Sequence, residues 1–366
     1  MKRVLRLEIS GSLEELEALD RQLEMLAHSC TAGAFDRPGF FLPWARAAVA
    51  DGQRPACLCL YRGSELTGFL PVFFHCDRKA LMAQRGRFPE FGSSPAFDLL
   101  LAPSEDEEET CALLVQALDQ QNWLDLTFAN LPEDSRLAQC LPLACQRQGF
   151  QVNSLPGLSY HMIDGLNDSA TFLAQMKGRN RRNWKRKERH LRETCDIHHF
   201  THETDYVSCL PMLRDVLENS WKFDDRMRGI GLPLYENQVL GTARDGTLGI
   251  WFACLKEKPL AFAFELADPR GGHHGYFMAY NAEYARFGAG GALAFMAILK
   301  SLDSGNPRYD LWSTRGHMSQ LANCARATTV LEVRRRGALP RLRLAAAEQI
   351  RAVRHALQTV NPRPQA

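Results

Sequence analysis

The segment YARFGAGGALAF, Tyr284 to Phe295, places Gly288, Gly290 and Gly291 where a loop turns into a helix, and no acid follows Glu283. Glycines let backbone N–H groups turn inward and let a ligand approach closely. A helix N-terminus adds roughly half a positive charge, so the place suits a pyrophosphate. The residues offered to such an anion are Arg286, Phe287, Gly288, Ala289, Gly290 and Gly291. The alternative is a tight strand-to-helix connection with no ligand. No GK[ST] follows, which excludes a nucleotide P-loop, and the hairpin-bound strands before it fit a dinucleotide fingerprint poorly.

Two carboxylates stand in apolar runs: Glu265 in AFAFELA and Asp310 in RYDLW. A charge in such a setting needs a reason. Either one works as a base in a cleft, or Asp310 pairs with a nearby arginine and Glu265 faces solvent on alternate pleats. His198, His199, His202 and Glu203 crowd IHHFTHE, but the segment reads as strand and loop, and no metal is assigned to it. The eleven cysteines are scattered without a CxxC pair, which reads as reduced, buried thiols.

The elements that position these residues follow from periodicity and turn residues. In the second half the strands are Thr247 to Leu255, Leu260 to Ala267 and His273 to Tyr280. A helix spans about Gly290 to Ser304, and a last strand runs Arg308 to Trp312. The first half repeats the order: strands at Pro55 to Arg62, LTGFLPVFF and Phe97 to Ala102, a helix over Glu105 to Gln121, and a strand at Trp123 to Leu131. The reading is a mixed α/β chain of two tandem units. Residues 1–155 form the first, 156–340 the second, and 341–366 a basic helical tail. A single large mixed domain is the alternative.

Charge separates the halves. Residues 1–150 hold 14 Lys/Arg against 21 Asp/Glu, and the remainder 30 against 21. The basic second half suits an anionic ligand. The run Glu105 to Glu109 favours a helix start but repels a pyrophosphate, so the first unit reads as lacking a donor site. Nine Lys/Arg fall between Lys177 and Arg192, with Trp184 and Leu191 as the apolar stripe. This helix is either a solvated face or an electrostatic funnel for a polyanion or an anionic lipid face. No run of about 18 apolar residues exists, so no spanning helix is expected and the compartment reads as cytoplasmic.

FLPWARAA (Phe41 to Ala48), LTGFLPVFF, LDLTFANLPEDSRL, KGRNRRNWKRKERHLRE (Lys177 to Glu193), ENSWK, AYNAEYARFGAGGAL and RYDLW, in this order, resemble the GNAT acyltransferase superfamily. The closest likeness is to CelD-like, cellulose-biosynthesis-associated acetyltransferases, which are related to Fem-type aminoacyl transferases. The chain departs from that pattern in two places. It has Gly288-Ala289-Gly290 where the family usually has Ser-Pro-Gly, and His317 and Met318 near where a Tyr-Lys pair is often found.

The resemblance implies transfer of an acyl group, acetyl above all, from acyl-CoA to an amine, in exopolysaccharide or cellulose metabolism. It implies thioester polarisation by amides of Phe277, Met278, Ala279 and Tyr280. It also implies a base at Glu265 or Asp310, with Tyr280 donating to the leaving thiolate. Trp221, Lys222, Trp312 and Arg315 are the implied substrate-binding residues. The acceptor would be a small or carbohydrate-linked amine, and the partner a polysaccharide synthase complex. Two other readings stay open: aminoacyl transfer from a charged tRNA, and a non-catalytic scaffold.

Overall fold

The computed structural model describes residues 5–77, 83–91, 95–121, 123–132, 134–202, 204, 206–314 and 316–335. The expected basic tail, Arg315 and Glu203 lie outside them. In chain order the elements begin with β1 (Leu5–Ser10), α1 (Leu13–Ala18), α2 (Asp20–Ser29), α3 (Pro38–Ala50), β2 (Gln53–Pro55), β3 (Cys57–Arg62) and β4 (Glu65–Leu70). Then come β5 (Phe73–Asp77), β6 (Ala83–Arg87), β7 (Leu100–Leu101), α4 (Glu107–Gln120), β8 (Trp123–Pro132), α5 (Arg136–Arg147) and β9 (Gln151–Asp164). There follow α6 (Ser169–Gln175), α7 (Gly178–Thr194), β10 (Asp196–Phe200), α8 (Tyr206–Glu218), α9 (Leu232–Arg244), β11 (Leu248–Leu255) and β12 (Lys258–Ala267). The last are β13 (His273–Tyr280), α10 (Ala289–Asp303), β14 (Arg308–Ser313) and β15 (Cys324–Arg334). The architecture is mixed α/β, with sheets flanked by helices.

The chain divides into two compact units: residues 1–16, 52–157 and 329–366, and residues 17–51 and 158–328. The division is not a single cut at 155. The segment with α2 and α3 belongs to the second unit, and β9 and β15 carry the chain between the two.

In the first unit β1, β3, β4 and β7 form one sheet, and β2, β5, β6 and β8 follow one another in a second. LTGFLPVFF is therefore not one strand, because it breaks into β4 and β5 on different sheets. The strand expected at Phe97 to Ala102 shrinks to the two residues of β7, and β8 runs parallel to β6. The acidic run does open a helix. Asp106 caps α4 by accepting from Glu109 N–H at 2.7 Å, and Arg62 holds Glu105 in a two-pronged ion pair at 2.8 and 2.5 Å. Cys111 on α4 and Cys140 on α5 form a disulfide, which corrects the expectation of uniformly reduced thiols.

In the second unit the sheet order is β10-β11-β12-β13-β14-β9. The long apolar runs make β11 and β12 buried on both faces, as strands sandwiched between helix layers must be. On one face α10 packs with Trp184 and Leu191 of α7, and the Trp184 and Phe295 rings stack at 5.7 Å. On the other lie α3 and α9, whose backbones touch at Gly39 and Gly241: a Cβ on Gly39 would sit 2.1 Å from the Gly241 carbonyl. That close crossing lets α3 deliver Phe40 and Trp44, and α9 deliver Tyr235, to the β13 side chains.

Candidate active site

β13 and β14 pair in parallel at His273–Tyr309 and His274–Asp310 and no further. From Gly275 onward β13 keeps its antiparallel partner β12 but not β14, so a gap opens toward its C-terminal end. The alternation of hydrogen bonds says which groups face it. Asn281 N–H donates to the Leu260 carbonyl at 2.8 Å. Counting back along the register, Ala279 and Phe277 bond to β12, while Tyr280 and Met278 turn N–H and C=O away from it. The two amides available in the gap are thus those of Met278 and Tyr280; those of Phe277 and Ala279 are consumed by the sheet. The Met278 carbonyl accepts from Lys222 Nζ at 3.1 Å, in keeping with that orientation.

The start of α10 lies beside the same strand end, where a Cβ on Gly290 would stand 3.8 Å from the Ala279 carbonyl and from Met278 Sδ. Gly288 is the N-cap with φ 59°, a left-handed conformation that glycine adopts without strain. The amides of Ala289, Gly290 and Gly291 find no acceptor outside the helix among the described residues; that of Gly288 donates to Ala285. Phe287 is stacked on His190 of α7, and Arg286 is exposed with its guanidinium over the Phe287 ring. The amides that face the gap and those of the glycine turn therefore lie at the same end of β13.

β13 carries a bulge between its pairings with Phe264 and Glu265, which leaves Tyr276 as the extra residue. Sequence spacing puts Tyr276 and Tyr280 on one face; the bulge puts them on opposite faces. Tyr280 packs with the α10 cluster, and Tyr276 meets Phe40, Trp44 and Phe264. Burial pushes the Tyr276 hydroxyl pKa far up.

Asp310 sits at the root of the gap and is buried. It lies 2.7 Å from Arg326 Nη2 and accepts from Trp312 N–H at 2.8 Å. His274 Nδ1 is 4.0 Å from the same oxygen that Arg326 meets, and His274 Nε2 is 2.8 Å from Asp268. Burial alone would push the Asp268 pKa up, but His274 and Arg270 outweigh it and hold the carboxyl far below the usual range. Over this array the Trp312 ring stacks on Tyr160 at 4.6 Å and meets Phe35 at 4.7 Å. His274, Asp268, Arg326, Tyr160 and Phe35 were not legible as site residues, since they come from four separate stretches.

Glu265 lies elsewhere. It does not face solvent, as alternation suggested, but is buried against the α10 side. It accepts from Trp251 Nε1 at 2.8 Å and from the Tyr309 hydroxyl at 2.9 Å. Burial opposes its ionisation, yet His273, Trp251 and Tyr309 together lower its pKa. His199 stands 3.7 Å from it, and Lys300, ten residues beyond Gly290 on α10, bonds His199 at 2.7 Å. That places Glu265 about 15 Å along the helix from the glycine turn, where β13 and β14 are still zipped. Its oxygens are engaged in holding the sheet.

Trp221 is 67% exposed, and its neighbour Lys222 is half-buried with its ammonium 4.6 Å from the Phe277 ring. Burial lowers the Lys222 pKa. Of the histidine-rich segment, His198 and His199 are adjacent on β10 and so point to opposite faces, and no group of three or more metal-ligating side chains occurs among the described residues.

Residues 178–318 match the family described as an acetyltransferase (GNAT) domain. No curated protein matches the sequence. Among solved structures, the fold is similar to the C-terminal domain (DUF2156) of a putative lysylphosphatidylglycerol synthetase from Agrobacterium fabrum, with a TM-score of 0.55 and 10% identity, covering 91% of this chain and 96% of that one. It is also similar to FemX, with a TM-score of 0.51 and 11% identity over 79% of this chain and 90% of that one. L-PGS from Bacillus licheniformis gives 0.51 and 11% over 90% and 96%. At these identities the likeness is one of fold.

Proposed function

We propose that the second unit transfers an acyl group from an acyl-CoA thioester to an amine. The observation that carries this is the parting of β13 from β14 beside a glycine-started helix whose N-cap makes no side-chain hydrogen bond. A donor lying in the gap would rest its pyrophosphate on Ala289 to Gly291 and pair its pantetheine arm with β13. Its thioester carbonyl would then accept from the Met278 or Tyr280 amide. One such donor is worth roughly 3–4 kcal/mol of transition-state stabilisation.

The amine must lose a proton before it attacks. We read Asp310, at the root of the gap and on the Trp312 face, as the carboxylate that takes it, with Arg326 and His274 setting its charge environment. Attack forms the C–N bond and breaks the C–S bond, and the departing thiolate takes up a proton. Tyr280, on the α10 face of β13, is the hydroxyl on that side.

Calorimetry with acetyl-CoA and with free CoA tests the reading. Binding of both, at one site, is expected; no binding at either would remove it. The acceptor is read as a small or carbohydrate-linked amine, and the cellulose context rests on sequence resemblance alone.

One observation favours a second reading, aminoacyl transfer from a charged tRNA. Helix α7 exposes Arg179, Arg182, Lys185, Arg186, Arg189 and Arg192, and its His190 reaches the glycine turn through Phe287. Such a face suits a polyanion larger than CoA. RNA co-purifying with the protein, and released by salt, would select this reading over the first.

A further inference from the structure

Lys222 brings an amine to the edge of β13 that faces the gap, and its surroundings are unusual for a lysine. It follows α8 and crosses the Phe277 ring at 4.6 Å. Its ammonium donates to the Met278 carbonyl at 3.1 Å and, among the described residues, makes no other hydrogen bond and no ion pair with a carboxylate. Phe277 stacks on Tyr235 of α9, so the side chain arrives from the α3–α9 face, the face opposite α10. That is also the face of Asp310, Trp312 and Tyr276. An acceptor amine entering from this side would come to the place that the Lys222 amine already holds.

The distances are short enough for reaction. The N–H and C=O of one residue leave the strand on the same side, about one residue step (~3.3 Å) apart. A thioester oxygen held by the Met278 amide would therefore bring its carbonyl carbon close to Lys222 Nζ, within the roughly 3–3.5 Å of a near-attack geometry or one side-chain rotation from it. The Phe277 ring and the Met278 carbonyl favour the ammonium, but the loss of water around it outweighs them. Burial accordingly lowers the pKa of this group and raises its neutral fraction.

We propose that Lys222 is a self-acylation site: with donor bound and no acceptor present, its amine takes the acyl group. The neutral amine attacks the thioester carbon, the N–C bond forms, the C–S bond breaks, and the nitrogen's surplus proton leaves with the thiolate as CoA thiol. No further reactant is needed. The product is a neutral amide lodged at the mouth of the gap, where it blocks a second amine. The inference rests on the reading of the gap as the donor site.

The test is incubation of the full chain with acetyl-CoA alone, followed by intact mass and peptide mapping over time, with donor binding measured in parallel by calorimetry. Acetylation of Lys222 is expected to be about 100-fold or more faster than that of the exposed Lys185 and Lys256, since positioning replaces a bimolecular encounter. Lys222→Arg should remove the fast phase. Gly290→Glu, which leaves Lys222 in place, should slow it at subsaturating donor by the same factor as its loss of donor affinity. Donor binding without a fast adduct at Lys222, or equal rates at all three lysines, overturns self-acylation while the transferase reading stands. Absence of donor binding overturns both.

Discussion

Gly290→Glu separates the two roles of the α10 N-terminus, because stability and donor binding respond differently. A Cβ at Gly290 meets the Ala279 carbonyl and Met278 Sδ at 3.8 Å, ordinary contact, so the backbone need not shift. An acid in the first turn of a helix contributes about 0.3–1 kcal/mol through the macrodipole, and relief from glycine's low helix propensity adds up to about 1 kcal/mol. Against this stands the burial of a longer side chain. The unfolding free energy from urea melts is therefore expected to stay within about 1 kcal/mol of the parent. Binding has no such compensation. A carboxylate roughly 5 Å from a pyrophosphate charge costs about 3 kcal/mol at an effective dielectric near 20, and about 1 kcal/mol if bulk water screens it. The affinity for acetyl-CoA should fall about 5- to 200-fold. Acetyl-pantetheine, which lacks the pyrophosphate, should bind parent and variant alike. Equal acetyl-CoA affinity in a folded variant would refute the placement of the phosphates on Ala289 to Gly291.

Three further outcomes follow from the buried contacts. Asp310→Asn leaves the partly buried Arg326 without its counter-charge and should destabilise the second unit by up to about 3 kcal/mol. Asp310→Leu with Arg326→Met should recover part of that in a urea melt, and failure to recover would mean the pair is not the cause. Reducing the Cys111–Cys140 bond opens a loop of 29 residues, which should lower the stability of the first unit by about 3–4 kcal/mol. Unfolding curves with and without reductant, and with Cys111→Ala plus Cys140→Ala, should agree. Asp268 is held below its ordinary pKa, so its stabilisation is present above the unfolded value near 4 and fades as pH falls through and below that value. Asp268→Asn should flatten the acid side of the stability–pH curve; an unchanged acid limb would contradict the His274 and Arg270 contacts.

The second unit was legible in sequence because its strands are buried on both faces. Runs such as WFACL and AFAFELA can only be core, and turn residues bound them, so β11 to β14 and α10 fall within one or two residues of expectation. The turn Lys256–Glu257 shows what such reading cannot see: both residues adopt positive φ, 50° and 69°, with no glycine to announce it. The first unit was less legible. LTGFLPVFF is continuous in hydrophobicity, yet the chain changes sheets at Pro71–Val72, and only tertiary packing decides that. The unit boundary was hidden for the same reason. Residues 17–51 join the second unit through the Gly39–Gly241 crossing, a contact across 202 positions that no local pattern carries.

The gap itself has a physical cause that the residues near it supply. β13 holds one surplus residue, Tyr276, against β12. β14 holds two, Leu311 and Trp312, against β9, where the register steps from Asp310–Met162 to Ser313–His161. A bulge bends its strand and increases local twist. Two neighbouring strands, each bulged against its outer partner and each just beyond the last shared pair, turn away from one another there. The β14 distortion is costly, since Trp312 sits at φ 47°, an outlier for a bulky side chain. It is held by the Asp310 carboxylate on the Trp312 amide and by the stack of Trp312 on Tyr160. Asp310 is thus tied to the opening of the cleft as well as to its charge. Asp310→Asn retains an oxygen for the Trp312 amide, whereas Asp310→Leu does not. If the bulge keeps the strands apart, acetyl-CoA should still bind the asparagine variant and should lose affinity for the leucine variant. Equal donor affinity in both, with each variant folded, would show that the strands part for another reason.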